Sequence, residues 1–244
     1  MIAKKPIGEK DEIANEDKWC FAWFALPVTE VAGEAGKSRA ALAKGSKWKA
    51  GETITASFLD GDPAIQAKVR QVAQEWTSLN MARLTLAFQN GPKTDIRISF
   101  QYSGSWSVIG TTCRQITDTT QPTMNFGWLD ANSTDDEIQR VVLHEFGHAL
   151  GLIHEHQNPG GHIPWNKQAV IDDLSGPPNN WSLDVINHNM FEPYAKTETN
   201  YTHLDPQSIM MYPIPKKWTT NGFSIGMNDT LSPTDKKFIH KQYP

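Results

Sequence analysis

The eleven residues from His144 to His154, H-E-F-G-H-A-L-G-L-I-H, constrain this 244-residue chain more than any other stretch. They lie within a run, Ile138 to Leu152, whose apolar residues Ile138, Val141, Val142, Phe146, Ala149 and Leu150 predict a helix. On a helix His144 and His148 stand one turn apart, at i and i+4, so both imidazoles leave from the same face. Gly151 must then stop the helix and reverse the chain, because a glycine adopts positive φ at little steric cost. Only such a reversal brings His154 back towards the other two rings. The chain therefore has to build a helix, a sharp turn and a pocket for three imidazoles.

Three neutral imidazoles suit one tetrahedral Zn2+ and leave its fourth position open, which distinguishes a catalytic zinc from a structural one. The spacing H-E-x-x-H-x-x-G-x-x-H fixes five residue types at set offsets, so an accidental match is improbable. Glu145 follows the first ligand and is predicted to act as general base on a zinc-bound water, without itself being a ligand. Zinc lowers the pKa of that water towards about 7 and polarises a carbonyl, so the reaction class is hydrolysis of an amide bond.

Charge narrows the partners. The 27 acidic and 23 basic residues are interleaved and sum to −4, with no basic block that would suit nucleic acid or an anionic membrane. No stretch approaches the roughly 18 apolar residues of a membrane span. Protein or peptide substrates and a monomeric state are the expectation. Met1 to Asp17 lacks the apolar core of a secretory signal. A secreted location is still favoured, since a removed signal or a dedicated secretion machine leaves no trace. The cysteines, Cys20 and Cys113, read as two buried thiols, or else as a single bridge between the N-terminal segment and the domain.

Residues 1–46 read as an N-terminal extension or pro-segment, and residues 47–244 as the main domain. The extension is charged and alanine-rich around an aromatic island, Trp19 to Phe24. Met1 to Asp17 is expected to be poorly ordered, and Trp19, Phe21, Trp23 and Phe24 to pack against the domain. From Trp48 onwards, strands are predicted at Thr53–Leu59, Leu84–Phe88, Ile96–Phe100, Ser107–Cys113 and Thr123–Trp128. A helix capped by Asp62 with Pro63 at its first position runs to about Asn80. Further helices are predicted at Lys167–Leu174 and Ser182–Asn189, and from Pro233 to about Lys241 with Ser232 as cap.

Far downstream, Ser208-Ile209-Met210-Met211-Tyr212-Pro213 has the form of a Met-turn, in which Met210 makes a polarisable apolar floor beneath the zinc-binding rings. Together with the long motif, it makes the chain resemble the metzincin clan of metallopeptidases. Within that clan it is most similar to the astacin family. Glu155 directly after the third histidine, Tyr212 two residues after Met210, and Gly104-Ser105-Trp106-Ser107-Val108-Ile109-Gly110 carry the likeness. The resemblance implies an α+β, zincin-like, two-lobed catalytic domain over residues 47–244. Its upper lobe would hold a twisted, mostly parallel five-stranded sheet with an antiparallel edge strand, Ser107 to Cys113, free to pair with an extended substrate. It also implies Tyr212 as a fifth zinc ligand that stabilises the reacting oxygen. Gly151, Glu155 and Met210 would support the site.

Several features depart from the family pattern. Two cysteines cannot make the two disulfides common in the family. The family's glutamate at the position of Glu155 meets a freed N-terminus, whereas about 46 residues precede this domain, so either that segment is cleaved or Glu155 has another partner such as a backbone amide or a nearby side chain. Phe58-Leu59-Asp60-Gly61-Asp62 resembles a latency motif of astacin propeptides, but its place before an amphipathic helix favours a strand end and helix cap. Cys20 has a second reading as a zinc-binding thiolate. Lys216 and Lys217, just after the Met-turn, suggest a preference for acidic residues on the primed side. His156 is assigned no ligand role.

Overall fold

The computed structural model describes residues 20–23, 44–177, 179–193 and 203–244. The expectations for Met1 to Asp17 and for the aromatic side chains of Trp19 to Phe24 lie outside the described residues.

Five short segments with alternating or wholly apolar character form strands: β2 (Thr53–Phe58), β3 (Thr85–Phe88), β4 (Ile96–Ser99), β5 (Ser105–Val108) and β6 (Met124–Phe126). Strands β3, β2, β4 and β6 are mutually parallel neighbours, and β5 runs antiparallel to β6. A sixth strand, β1 (Cys20–Trp23), comes from the N-terminal segment and pairs parallel with β5, giving the order β1-β5-β6-β4-β2-β3. The antiparallel strand is thus the edge of the five expected strands but is flanked on both sides once β1 is counted. It is also shorter than Ser107 to Cys113. Gly110 sits at φ +51 with the Ser46 backbone packed where a side chain would stand, so the chain turns into a 3-10 segment, Gly110–Gln115, instead of extending the strand.

Helix α1 (Pro63–Ala73) starts as predicted, with the Asp62 carboxylate accepting from Ala64 N and Pro63 in the first turn. It gives way to a 3-10 turn, Gln74–Thr77, short of Asn80. Asp60 accepts from Ser99 Oγ and Phe100 N, so this segment does join a strand end to a helix cap. Helix α2 (Asp135–Ala149) packs on α1 and across β5 and β6. Beyond it the chain carries α3 (Lys167–Ser175), α4 (Leu183–Ile186) running into a π-helical turn, Asn187–Phe191, and finally α5 (Pro233–Gln242).

Two apolar cores result. The upper one joins the sheet, α1 and α2, and takes back Ile239 and Tyr243 from the C-terminal end of the chain. The lower one gathers Ile163, Val170, Leu174, Trp181, Ile186, Met190 and Trp218. The Met-turn straddles the boundary: Ile209 and Met210 are buried in the upper core, Met211, Tyr212 and Ile214 in the lower. Consecutive side chains sunk in opposite cores leave that turn little freedom, and the pocket lies at the seam.

Candidate active site

Helix α2 is launched by Thr134, whose hydroxyl accepts from Glu137 N, and by Asp135, Asp136 and Glu137 in its first turn, where acidic groups complement the helix dipole. Every residue from Val141 to Leu150 is buried, as expected of a helix clad on all sides. Its C-terminal carbonyls are closed off one by one. Gly151 N donates to His148 O and Leu152 N to Gly147 O, with Gly151 at φ +97 making the predicted reversal. Trp48 Nε1 donates to Ala149 O at 2.7 Å and the Tyr243 hydroxyl to Leu150 O at 2.6 Å.

The reversal brings His154 to the two helical histidines, and one ligand atom from each of the three lies within 4.8 Å of the others. His144 Nδ1 faces Ile209 O at 2.7 Å and His148 Nδ1 faces Leu152 O at 2.9 Å. A carbonyl only accepts, so each Nδ1 carries the hydrogen and each Nε2 keeps its lone pair. Those lone pairs point inward: His144 Nε2 is buried with no hydrogen-bond partner, and His148 Nε2 stands 3.2 Å from His154 Nε2. Burial holds the rings neutral, with His144 and His154 pushed well below the usual histidine range and His148 down to about 4. Converging neutral lone pairs, two of them fixed by backbone carbonyls behind their rings, are the donor set that one zinc ion takes.

Glu145 is fully buried and lines one pocket with Arg140, His144, Tyr212 and Met227. Met210 presses against Gly147, where an added methyl would overlap its sulfur. The Tyr212 ring lies 4.1 Å from that of His154 and 6.2 Å from that of His144, centroid to centroid.

The carboxylate of Asp235 holds the turn from below. It accepts from Ser208 Oγ at 2.7 Å, Ile209 N at 2.8 Å and Ser232 N at 3.0 Å, while Asp235 N donates to the Ser232 side chain, a full capping box for α5. Ile209 therefore links Asp235 to His144.

The sequence model of the astacin family of peptidases matches residues 42–244. The chain belongs to the astacin family. One solved structure of myroilysin superposes on this astacin with a TM-score of 0.80 at 45% identity, covering 83% of this chain and 98% of that one. A crystal structure of myroilysin gives 0.67 at 41% identity, with 94% and 92% covered. High choriolytic enzyme 1, a hatching enzyme zinc-protease from Oryzias latipes, shares the fold at 0.52 and 16% identity, with 82% and 96% covered. The zinc metalloproteinase nas-30 of Caenorhabditis elegans is 26% identical over 155 residues, which is 63% of this chain; the match spans 19% of the length of that relative. The α+β, two-lobed zincin-like fold expected from the resemblance is the fold of this astacin.

In this astacin Glu155 has a nearby side chain and a backbone amide as partners, accepting from Asn158 Nδ2 and Asp205 N, each at 2.9 Å; burial raises its pKa to about 7. Lys216 and Lys217 are exposed on a 3-10 turn, and Lys217 pairs with Asp173 at 2.8 Å. Arg140, one turn before His144, is the cation that lines the pocket. Its spacing from the motif could have revealed it. Cys113 is a free, buried thiol pushed up to about 12 by burial. Sequence reasoning also passed over Gly147 and Asp235, although Ser232-x-x-Asp235 carries a capping signature.

Proposed function

We propose that this astacin is a zinc-dependent endopeptidase acting on proteins and peptides as a monomer. The observation that carries this is the convergence of three neutral imidazoles, those of His144 and His148 braced by backbone carbonyls, beside the buried carboxylate of Glu145. His144, His148 and His154 would hold one Zn2+, which supplies Lewis acidity: it polarises the scissile carbonyl and makes a water acidic enough to be deprotonated near neutrality. Glu145 then takes up the water proton and returns it to the departing amine. Tyr212 would complete the ligand set, and its phenol would donate to the oxygen that gains charge when the peptide bond is attacked. Gly151 sets the reversal, Glu155 pins the loop after it, and Met210 supports the rings from below. Arg140 in the adjoining pocket favours an acidic side chain after the cleaved bond.

A second observation favours a latent form of the same enzyme. Strand β1 lies along β5, the strand that an extended substrate would otherwise join through main-chain hydrogen bonds. This supports residues 1–46 as a pro-segment whose removal frees β5.

The test is metal content and peptide hydrolysis on one preparation, before and after residues 1–46 are cut away. One zinc per chain, hydrolysis lost to a chelator and restored by zinc, and a gain on removing the segment are expected. Hydrolysis that resists complete zinc removal would refute the function, and equal activity with and without residues 1–46 would refute latency.

A further inference from the structure

His156 has no part in the metal site as built above, yet it is buried, stacked and tied down. Its ring lies 4.6 Å from that of Tyr212 at an interplanar angle of 24°, and 5.3 Å from that of His154 at 25°. Its Nε2 faces Asn189 O at 2.7 Å and so must carry the hydrogen, which leaves the lone pair on Nδ1, buried and without a hydrogen-bond partner. An unpaired buried nitrogen costs about 1–3 kcal/mol, so the imidazole is a poor way simply to fill space. A ring needed only as filler would carry no hook to Asn189, and a hook alone would need no ring.

The other end of the hook is a π-helical turn, Asn187–Phe191, and such turns are rare and concentrate at functional sites. Gln157 doubles the attachment: its Nε2 donates to His188 O at 2.7 Å and reaches Glu192 O at 3.2 Å. Trp165 abuts His156 edge-on at 6.2 Å and Phe191 at 5.9 Å, so the outer face of the imidazole is walled in. Tyr212 thereby packs against both the His154 ring and an imidazole anchored to the lower lobe, the three rings forming a triangle with sides of 4.1, 4.6 and 5.3 Å.

We infer that His156 is a positioning residue for Tyr212: its ring, fixed by the π-helical turn, keeps the phenol facing the metal. This rests on Tyr212 being a metal ligand, as proposed above. The two requirements can be separated by substitution. His156→Gln places an amide nitrogen where Nε2 stands, keeping the hook and losing the ring. His156→Phe keeps the ring and loses the hook.

The test exchanges zinc for Cu(II) in the full chain and records the visible charge-transfer band that a phenolate gives when it binds Cu(II), with metal stoichiometry and kcat measured alongside. Wild type should show a band that Tyr212→Phe abolishes. His156→Gln should bind one metal per chain yet lose or shift the band and lower kcat by about tenfold, the lower end for residues that orient metal ligands. His156→Phe should retain more of the band than His156→Gln. A wild-type band that survives unchanged in both variants overturns the positioning role alone. Loss of metal in both variants also overturns it, since His156 would then act on His154. Absence of any Tyr212-dependent band in wild type overturns the Tyr212 assignment and this inference with it.

Discussion

Replacing Asp235 by Ala should unfold the Met-turn's support and weaken a metal site whose first ligand lies about 90 residues upstream in the chain. The carboxylate accepts three hydrogen bonds, from Ser208 Oγ, Ile209 N and Ser232 N. Bonds to a charged acceptor contribute about 1.5–3 kcal/mol each, offset by the several kcal/mol that burying the charge costs, a cost visible in the raised pKa of Asp235. Removing one side of such a buried network typically costs about 3–5 kcal/mol. For a domain of this size each kcal/mol lowers Tm by about 2–4 °C, so a fall of about 6–20 °C is expected. Ile209 then loses the anchor on its N–H while its carbonyl still has to orient His144, and zinc affinity should drop about 10–100-fold. Calorimetry with and without chelator gives the first number, and competition against a chromophoric zinc chelator gives the second. Asp235→Asn, which keeps one acceptor, should fall between. A Tm loss of the expected size with wild-type zinc affinity would refute the path from Asp235 through Ile209 to His144.

Three further outcomes follow from the same geometry. Gly147→Ala gains about 1 kcal/mol of helix propensity but overlaps the Met210 sulfur, and overpacking costs about 1–3 kcal/mol. It should therefore lower Tm in wild type and raise it in a Met210→Ala background; additive effects in that cycle would refute the contact. In the metal-free protein burial depresses His148 and His156 to about 4, so the unfolded chain protonates below about 6.5 while the fold does not. Each contributes about 3 kcal/mol above pH 6.5 that is lost as the pH falls towards 4. Glu155, raised to about 7 by burial, acts oppositely, its contribution falling as pH rises from about 4.5 to 7. Urea midpoints in chelator should rise from pH 5 to 6.5, since the four buried imidazoles outnumber the carboxyls raised by burial, Glu155, Asp235 and Glu75; a falling midpoint would contradict it. Finally, cleavage-site profiling should show acidic residues enriched after the scissile bond, with the enrichment lost in Arg140→Ala.

What the sequence disclosed and what it hid divide along physical lines. The helix ends were legible because capping is local: Asp62, Ser232 and Gly151 each act within four residues. The three histidines were legible because the helical turn and a glycine reversal fix their offsets. Distant partners were not. Gly147 looks like an ordinary variable position of the motif until Met210 is seen against it, and Asp235 looks like a cap until Ile209 is seen above it. Charge proximity in sequence misled at Lys216 and Lys217, which face solvent beyond the turn, while Arg140 reaches the pocket from the helix itself. The antiparallel strand was found but its neighbour β1 was not, because pairing across more than 80 residues leaves no periodicity to read.

If Glu145 moves the proton for a metal held by three histidines, an amide in its place stops hydrolysis without releasing the metal. Glu145→Gln keeps size and polarity and removes the base. On zinc-loaded protein freed of residues 1–46, this substitution should leave one zinc per chain and an unchanged Tm, with peptide hydrolysis lowered by about 10²–10⁴-fold. Hydrolysis near the wild-type rate with zinc still bound would contradict it.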